Sequence, residues 1–188
     1  MGAIVLLPFV ILVILIFAPI IWLTDKGPVF YNGKRAGKDY KPFKMFKLRS
    51  MYVNSPDIKN PDGSTFNSDK DPRVTPIGRL LRKTSLDEFP QFLNVLIGDM
   101  SFIGPRPKLW FDYKHLKDMD STRQLSYSVK PGVTGYAQAY YRNSISQDEK
   151  FKLDAYYAQN ISFALDMRII WQTILSVLGR KNINTVQG

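Results

Sequence analysis

Two adjacent acids and one arginine have the residue types and the setting for chemistry. Asp87 and Glu88 precede an apolar run, and Arg106 follows that run within a Pro105-Arg106-Pro107 segment. The two prolines fix the backbone around Arg106, and its planar guanidinium can bind two phosphate oxygens at once. Carboxylates that accompany a fixed arginine favour chemistry on a phosphate group.

A purely structural explanation of the two acids is also open. Residues 85–88 have the S-x-x-E pattern of a helix capping box, and acids stabilise the first turn of a helix. Pro90 is tolerated only in a first turn, so we expect a helix to begin close to Asp87 and to end at Gly98. The spacing of apolar residues predicts its core face, which comprises Phe89, Phe92, Leu93, Leu96 and Ile97.

Composition limits the chemistry and indicates the kind of partner. The chain has 188 residues, with 26 lysines and arginines against 16 acids, for a formal charge of +10. This excess favours an anionic partner: nucleic acid, anionic lipid head groups or a phosphorylated substrate. The absence of cysteine excludes disulfides, thiolate metal sites and a cysteine nucleophile, and the single histidine, His115, argues against a Ser-His triad.

A hydrophobic segment occupies the N-terminal part of the chain. Residues 4–23 carry no charge, and as a helix they would reach about 30 Å, the thickness of a bilayer's hydrocarbon core. Pro19 should kink this helix, and a bent apolar helix can enter the bilayer and return to the same face. A harmless kink in a spanning helix is the alternative. The basic residues that predict a cytoplasmic location for the following domain are Lys26, Lys34, Arg35 and Lys38.

Residues 25–51 have the pattern of a β-hairpin. Asn32-Gly33 is a typical hairpin turn, and the residues before it favour a strand. The strand after it alternates apolar and basic side chains, which gives either a solvated edge or a row of cations along an anion site. The three cations of this row are Lys44, Lys47 and Arg49.

Helical patterns occupy much of the remaining chain. Thr75-Pro76 predicts the start of a short helix, residues 109–126 a charged helix, and residues 146–149 a capping box that opens a helix ending near Gln159. The last helix has an apolar stripe that would face either the core or a membrane interface. This stripe comprises Phe163, Met167, Ile170, Trp171, Ile174, Val177 and Leu178.

Longer motifs resemble those of a known family, the bacterial sugar transferases. The similar segments are KMFKLRSM at 44–51, DPRVTPIGRLLRKTSLDEFPQFLNVLIGDMSFIGPRP at 71–107 and VKPGVTGYAQ at 129–138. Shorter matches are RNSIS at 142–146 and LD at 153–154. The resemblance covers nearly the whole chain, and its size is similar to that of the small monotopic phosphoglycosyl transferases.

The resemblance implies an α+β fold with two parts. Residues 1–24 would form a re-entrant membrane helix broken near Pro19. Residues 25–188 would form a mostly helical, membrane-associated catalytic domain in the cytoplasm, with a short β-hairpin and amphipathic interfacial helices. Exposed aromatic residues in the C-terminal half would allow a homodimer.

The implied activity is the first membrane step of bacterial glycan assembly. A sugar-1-phosphate would pass from a UDP-sugar to polyprenol (undecaprenyl) phosphate at the inner face of the bacterial inner membrane, with release of UMP. Resemblance to the small members suggests an N-acetylated amino sugar. Mg²⁺ would be the cofactor.

The resemblance also implies roles for individual residues. Asp87 would be the nucleophile that forms a phosphosugar–aspartate intermediate, and Glu88 would bind Mg²⁺, with Asp87 as a further candidate ligand. Lys47 and Arg106 would neutralise the diphosphate, because a carboxylate attacks a pyrophosphate only when its charge is screened. Further candidates for substrate binding are Arg49, Arg79, Arg82, Pro105, Pro107, Gly132, Gly135, Arg142 and Asn143.

Three features depart from the family pattern. Family members have a short basic segment with an aspartate before the hydrophobic stretch, and this chain starts almost within that stretch, which suggests a truncated start. Ala18-Pro19 replaces the family's frequent Ser-Pro, so no serine hydroxyl can support the bend. Residues 139–141, Ala-Tyr-Tyr, replace a pair of small residues, and we expect a changed sugar or uridine pocket.

Two other classes of protein are alternatives for this sequence. A membrane-tethered module that binds nucleic acid or anionic lipid would fit the charge, but adjacent acids would repel a phosphate backbone, so nucleic acid is not expected as a partner. A transferase with several membrane spans is not expected either, because the sequence has one long apolar run.

Overall fold

The computed structural model describes residues 2–58, 66, 68, 71–111, 113–141 and 144–179, and within them the fold is α+β and mostly helical, as predicted. The helices are α1 (Gly2–Asp25), α2 (Pro76–Thr84), α3 (Gln91–Ile97), α4 (Ser121–Ser126), α5 (Tyr136–Tyr140), α6 (Gln147–Gln159) and α7 (Phe163–Leu178). The strands are β1 (Gly33–Ala36), β2 (Pro42–Met45), β3 (Ser101–Ile103) and β4 (Gly132–Thr134). Short 3-10 helices cover Lys38–Tyr40, Leu86–Glu88 and Leu116–Asp118.

Helix α1 contains the apolar N-terminal run. Its part Ile4–Asp25 has a mean hydropathy of 3.3 and is long and apolar enough to cross a membrane by length and composition. The helix continues through Pro8 and Pro19, so Pro19 does not end it. The bend and the re-entrant course expected at Pro19 stay predictions.

The C-terminal end of α1 is fixed to the rest of the domain. Ile21 packs with Leu48 and Leu81 in a buried apolar cluster. Arg49 donates to both carboxylate oxygens of Asp25 at 2.6 Å and to the carbonyl oxygens of Pro28 and Ile21. This network of one guanidinium links the helix to the strand region that follows it.

The predicted hairpin is present, but its turn lies elsewhere. β1 and β2 are antiparallel, with Gly33 opposite Met45 and Ala36 opposite Pro42, so residues 37–41 form the turn. Asn32-Gly33 is not the turn because the pairing continues outward to a bridge between Phe30 and Leu48. Within the actual turn Asp39 and Tyr40 adopt positive φ values of 55° and 60°.

The segment around the two acids also differs from the expectation. Thr75 caps α2 as predicted, accepting from the Gly78 N–H at 2.9 Å. Ser85 adopts a left-handed conformation (φ 59°) and its side chain caps nothing, so the predicted capping box is absent. The two acids lie in the 3-10 helix Leu86–Glu88, and α3 begins after Pro90, which has no side chain that could cap it. Gly98 ends α3 with φ 91°, as predicted.

The buried face of α3 is polar, which corrects the predicted core face. Gln91 and Asn94 are buried, whereas Leu96 and Ile97 are 38% and 64% exposed. The Asn94 amide accepts from the Phe46 N–H and donates to the Lys44 carbonyl, both at 2.8 Å. An amide side chain can pair with an extended backbone in this way, and an apolar residue cannot.

A short parallel pair of strands brings two glycine-rich segments together. β3 and β4 align Ser101 with Gly132 and Ile103 with Thr134. A Cβ on Gly132 would lie 2.1 Å from the Gly104 nitrogen, and one on Gly135 would lie 2.0 Å from the Gly104 oxygen. Only glycine permits this approach of the two backbones.

The helices of the C-terminal half agree with the prediction for α6 but not for residues 109–126. Residues 109–126 are helical only over Leu116–Asp118 and Ser121–Ser126, because Asp120 caps a new helix there. The capping box of α6 is formed by Ser146 and Glu149, as predicted. On α7 the described part of the apolar stripe is exposed, with Trp171 at 62%, so the core-facing alternative is wrong for this stripe. Ile169, outside the stripe, packs into the core instead.

We predict that Gly132→Ala lowers the free energy of unfolding by about 1–3 kcal/mol, because the added methyl would have to displace backbone. The matched control is Gly33→Ala, whose Cβ would meet the side chain of the exposed Tyr31 at 3.1 Å. Chemical unfolding in detergent, followed by tryptophan fluorescence, measures both variants. Equal stability of Gly132→Ala and wild type would contradict the close approach of β4 to Gly104.

Candidate active site

Four side chains from three segments meet in one charged cluster. Lys47 Nζ lies 2.8 Å from Asp87 Oδ2 and 3.3 Å from Glu88 Oε1. An Arg106 terminal nitrogen donates to Glu88 Oε1 at 2.8 Å. The structure therefore brings together all four residues that the sequence predicted as catalytic.

Four hydrogen bonds hold the backbone around Lys47. The Leu48 N–H donates to the Asp87 carbonyl at 2.9 Å, and the Tyr31 N–H donates to the Lys47 carbonyl at 2.8 Å. The Asn94 amide pairs with residues 44 and 46 on the preceding turn of chain. The Lys47 ammonium group thus approaches the acids from the segment just after β2, which Asn94 of α3 holds in place.

Arg106 is presented by a rigid, buried loop. Pro105 and Pro107 are buried while the Arg106 side chain is 51% exposed, so the loop directs the guanidinium outward into the cleft. The Gly132 N–H donates to the Pro105 carbonyl at 3.0 Å. Beyond the loop, Lys108 forms a 2.6 Å ion pair with the buried Asp154.

The two acids have different electrostatic surroundings. Burial alone would raise the pKa of Glu88, but Arg106 and Lys47 outweigh it and hold that pKa well below its usual range. Asp87 is 2% exposed, and its Oδ2 is close to Lys47 without a hydrogen bond of normal geometry. Glu88 therefore pairs with two cations, whereas the buried Oδ2 of Asp87 has the Lys47 ammonium as its charged neighbour.

Comparison with known proteins decides the family. The profile of the bacterial sugar transferase family matches residues 1–180. The chain belongs to the bacterial sugar transferase family. This confirms the resemblance seen in the sequence and the expected class of enzyme, a transferase.

Individual relatives support the assignment. The chain is 41% identical over 182 residues to the uncharacterized sugar transferase EpsL of Bacillus subtilis, covering 97% of this chain and 86% of EpsL. It is 36% identical to the UDP-N-acetylgalactosamine-undecaprenyl-phosphate N-acetylgalactosaminephosphotransferase of Aeromonas hydrophila, over 95% of this chain and 42% of that protein. It is 37% identical to the UDP-glucose:undecaprenyl-phosphate glucose-1-phosphate transferase of Escherichia coli K12, over 87% and 37%. The chain thus spans less than half of these two longer relatives.

Two further arginines of this sugar transferase line the cleft, and their binding of substrate stays a prediction. Arg82 Nε donates to Ser50 Oγ at 2.9 Å. Burial lowers the pKa of Arg82, and the opposing charge of Asp87 partly offsets that effect, so this guanidinium lies within electrostatic range of the acids. Arg79, one turn earlier on α2, is exposed at the edge of the same cleft.

Other predicted substrate-binding residues have different positions. Arg49 is buried and engaged by Asp25 and two backbone carbonyls, which explains its position without a ligand, and its role in substrate binding stays a prediction. Gly132 and Gly135 pack against Gly104, which explains them without a ligand. Lys44 is exposed, so the predicted row of cations is not a row: only Lys47 reaches the acids.

The four remaining candidates are two prolines that flank Arg106 and two residues between α5 and α6. Pro105 and Pro107 are buried and support the backbone of the loop that carries Arg106. Arg142 and Asn143 lie outside the described residues.

Sequence analysis did not predict Arg35 as a site residue and treated it only as one of several cytoplasmic charges. Arg35 lines the cleft beside the acids. The alternation within β1 between Lys34 and Arg35 could have indicated that the two side chains face different surroundings.

We predict that Arg49 and Arg106 contribute differently to the stability of the fold. Arg49→Met should lower the free energy of unfolding by about 3 kcal/mol, because it leaves Asp25 without its partner. Arg106→Met should change it by less than about 1 kcal/mol, because the Arg106 side chain is half exposed. Urea unfolding in detergent compares the two variants directly. A larger loss for Arg106→Met than for Arg49→Met would contradict these assignments.

Proposed function

We propose that this protein transfers a sugar-1-phosphate from a UDP-sugar to polyprenol phosphate, giving polyprenyl-diphosphate-sugar and UMP. The observation that carries this proposal is the contact of the buried Asp87 with Lys47 beside the Glu88–Arg106 pair. Carboxylates held among fixed cations suit attack on a diphosphate better than binding of a nucleic acid backbone. The names of the Aeromonas and Escherichia relatives agree with this chemistry.

The reaction proceeds in two displacement steps. First, an Asp87 carboxylate oxygen attacks the β-phosphorus of the UDP-sugar, the bond between the bridging oxygen and the β-phosphorus breaks, and UMP leaves with that oxygen. Second, an oxygen of polyprenol phosphate attacks the same phosphorus and the bond to Asp87 breaks. A covalent intermediate divides one difficult transfer into two easier steps. The position of the buried Asp87 beside Lys47, in the cleft that Arg106 also lines, supports its role as the nucleophile.

Lys47 and Arg106 neutralise charge during both displacements. Lys47 contacts both acids, so it can orient Asp87 and then stabilise the phosphoryl oxygens. Arg106 offers a planar fork on a rigid loop, and its half-exposed guanidinium can reach a substrate in the cleft. Their positive charges also hold the pKa of Glu88 below its usual range.

The donor atoms of the site are compatible with Mg²⁺ bound together with a substrate. The described residues include no cluster of three or more candidate metal ligands. Mg²⁺ commonly takes one or two carboxylates and completes its shell with phosphate oxygens and water. Glu88 Oε2 has no bond to a described residue, so Glu88 can offer it to the ion, with Asp87 nearby. The bound ion would withdraw negative charge from the diphosphate.

Exposed apolar surfaces support a location at the inner face of the bacterial inner membrane. α1, the end of α3 and the stripe on α7 all present large apolar side chains to solvent. A membrane-associated site lets the acceptor keep its tail in lipid while its phosphate meets a soluble UDP-sugar. We further propose an N-acetylated amino sugar as the transferred group, although the named relatives use different sugars. A homodimer through exposed aromatic residues is part of the same proposal.

We predict a covalent adduct on Asp87. Wild-type protein incubated with a UDP-sugar and Mg²⁺, without polyprenol phosphate, should release UMP and gain the mass of one sugar-phosphate. Asp87→Asn keeps the shape of the side chain but lacks the nucleophile, so it should fold and form no adduct. The control is Asp39→Asn, an exposed carboxylate in the hairpin turn, which should form the adduct as wild type does.

Intact-protein mass spectrometry and peptide mapping measure this outcome, and a panel of UDP-sugars identifies the donor. An adduct that persists in Asp87→Asn or maps to Glu88 would contradict the assignment of the nucleophile. Turnover only with both substrates present, without an adduct, would favour direct transfer with Asp87 as a base.

We predict that α1 is re-entrant. The chain has no natural cysteine, so Gly2→Cys and Lys117→Cys each introduce a single reactive site. Both should be labelled from the cytoplasmic side, because the bend at Pro19 returns the helix to the face it entered. Pro19→Leu should shift position 2 toward labelling from the opposite side. Labelling of position 2 from the opposite side in the unmodified helix would restore a spanning helix.

A further inference from the structure

Buried polar atoms without hydrogen bonds occur at three side chains among the described residues. They are Arg35 Nε, Asp87 Oδ2 and Gln138 Oε1, and all three residues line the same cleft. Buried polar atoms normally have partners, and exceptions are frequent where a ligand completes a site. Asp87 still has the charge of Lys47 beside it. Arg35 Nε, by contrast, has no hydrogen-bond partner among the residues that the structure describes.

The fold holds Arg35 close to Arg106. The Ala36 N–H donates to the Lys108 carbonyl at 2.9 Å, and Arg35 forms a bridge with Leu109. β1 therefore runs beside the chain that leaves the Pro-Arg-Pro loop. Burial and, next, the charge of Arg106 lower the pKa of Arg35, while Glu88 acts in the opposite direction. A partly buried guanidinium next to another cation is unfavourable unless an anion compensates it.

The other cations near the two acids already have partners, whereas the Arg35 guanidinium has a nitrogen without one. Lys47 and Arg106 are already bonded to the two carboxylates. Arg82, the fourth cation near the acids, donates its Nε to Ser50. Four cations thus face two carboxylates, which leaves an excess of positive charge suited to an anion with about two charges. Within this set, Arg35 Nε is the buried nitrogen donor that has no hydrogen-bond partner among the described residues.

We propose that Arg35 is a second phosphate-binding arginine of this site, whose guanidinium donates to a non-bridging phosphate oxygen of the substrate. The inference rests on the proposed function, because that function brings phosphates into the cleft. Two substrates carry this group: the diphosphate of the UDP-sugar and the phosphate of the polyprenol acceptor. Arg35 binds the same chemistry in either case.

The test separates the two substrates by their half-reactions. Full-length protein in lipid nanodiscs is first given the UDP-sugar alone, and the rates of adduct formation and UMP release are measured against its concentration. Pre-formed adduct is then given polyprenol phosphate at varied concentration. Arg35→Gln should raise the concentration for half-maximal rate by about tenfold or more in one of these arms, the scale of one charge-assisted hydrogen bond. The affected arm identifies the phosphate that Arg35 binds.

Two further variants separate binding from charge and from folding. Lys34→Gln removes one charge from the neighbouring position of β1, where the ammonium lies over the Trp110 ring at 4.2 Å, and it should leave both arms unchanged. Arg35→Lys keeps the charge and the stem but loses the fork, so it should recover part of the lost affinity. Arg35→Gln with wild-type values in both arms, or an equal effect of Lys34→Gln, would overturn the proposal.

Direct titration keeps this inference distinct from the proposed reaction. Wild type, Arg35→Gln, Arg35→Lys and Lys34→Gln are titrated with UDP and with inorganic phosphate, with no turnover required. Weaker binding of either probe in the Arg35 variants, but not in Lys34→Gln, supports the proposal even if wild type releases no UMP. Unchanged affinity for both probes would overturn it even if wild type is fully active.

Discussion

Two neighbouring carboxylates, of which Asp87 is buried, lie in one 3-10 turn, and this crowding of acidic groups is the constraint that the site has to satisfy. Burial and mutual repulsion both favour protonation of such a pair, and only nearby cations reverse that preference. Lys47 contacts both acids and Arg106 contacts Glu88, which keeps the pKa of Glu88 low. The arrangement therefore requires cations from distant parts of the chain to meet at one 3-10 turn.

Much of the surrounding fold serves to bring those cations together. The Asn94 side chain joins α3 to the segment before Lys47 through hydrogen bonds with the backbone of Lys44 and Phe46. Asp154 forms an ion pair with Lys108, two residues after Arg106. These braces are buried polar groups where an ordinary helix would bury apolar ones. Buried polar pairs contribute little net stability, but they can fix one relative position of two segments. In this site the position of an ammonium relative to a carboxylate matters more than the last increment of stability.

The sequence predicted the contents of the site better than the details of its scaffold. Asp87, Glu88, Lys47 and Arg106 lie in contiguous motifs, so a resemblance identified them without a fold, and the caps at Thr75 and Ser146 are local. Tertiary pairing overrode local signals elsewhere. Asn32-Gly33 is not the turn of the hairpin, because the strand pairing continues past it to the bridge between Phe30 and Leu48. Arg49 is basic like Lys47, but it forms an ion pair with Asp25 instead of contacting the two acids. The spacing of apolar residues in the sequence could not reveal that α3 buries the amide side chain of Asn94.

The same short helix connects the acids to the proposed membrane surface. The acids precede α3, and its last turn exposes Leu96 and Ile97. Seven residues of helix at about 1.5 Å each span roughly 10 Å, similar to the depth of the head-group region on one side of a bilayer. If the end of α3 meets the hydrocarbon, the acids stand at the level of lipid phosphates. An acceptor with a phosphate head would then need little displacement from the bilayer to reach Asp87.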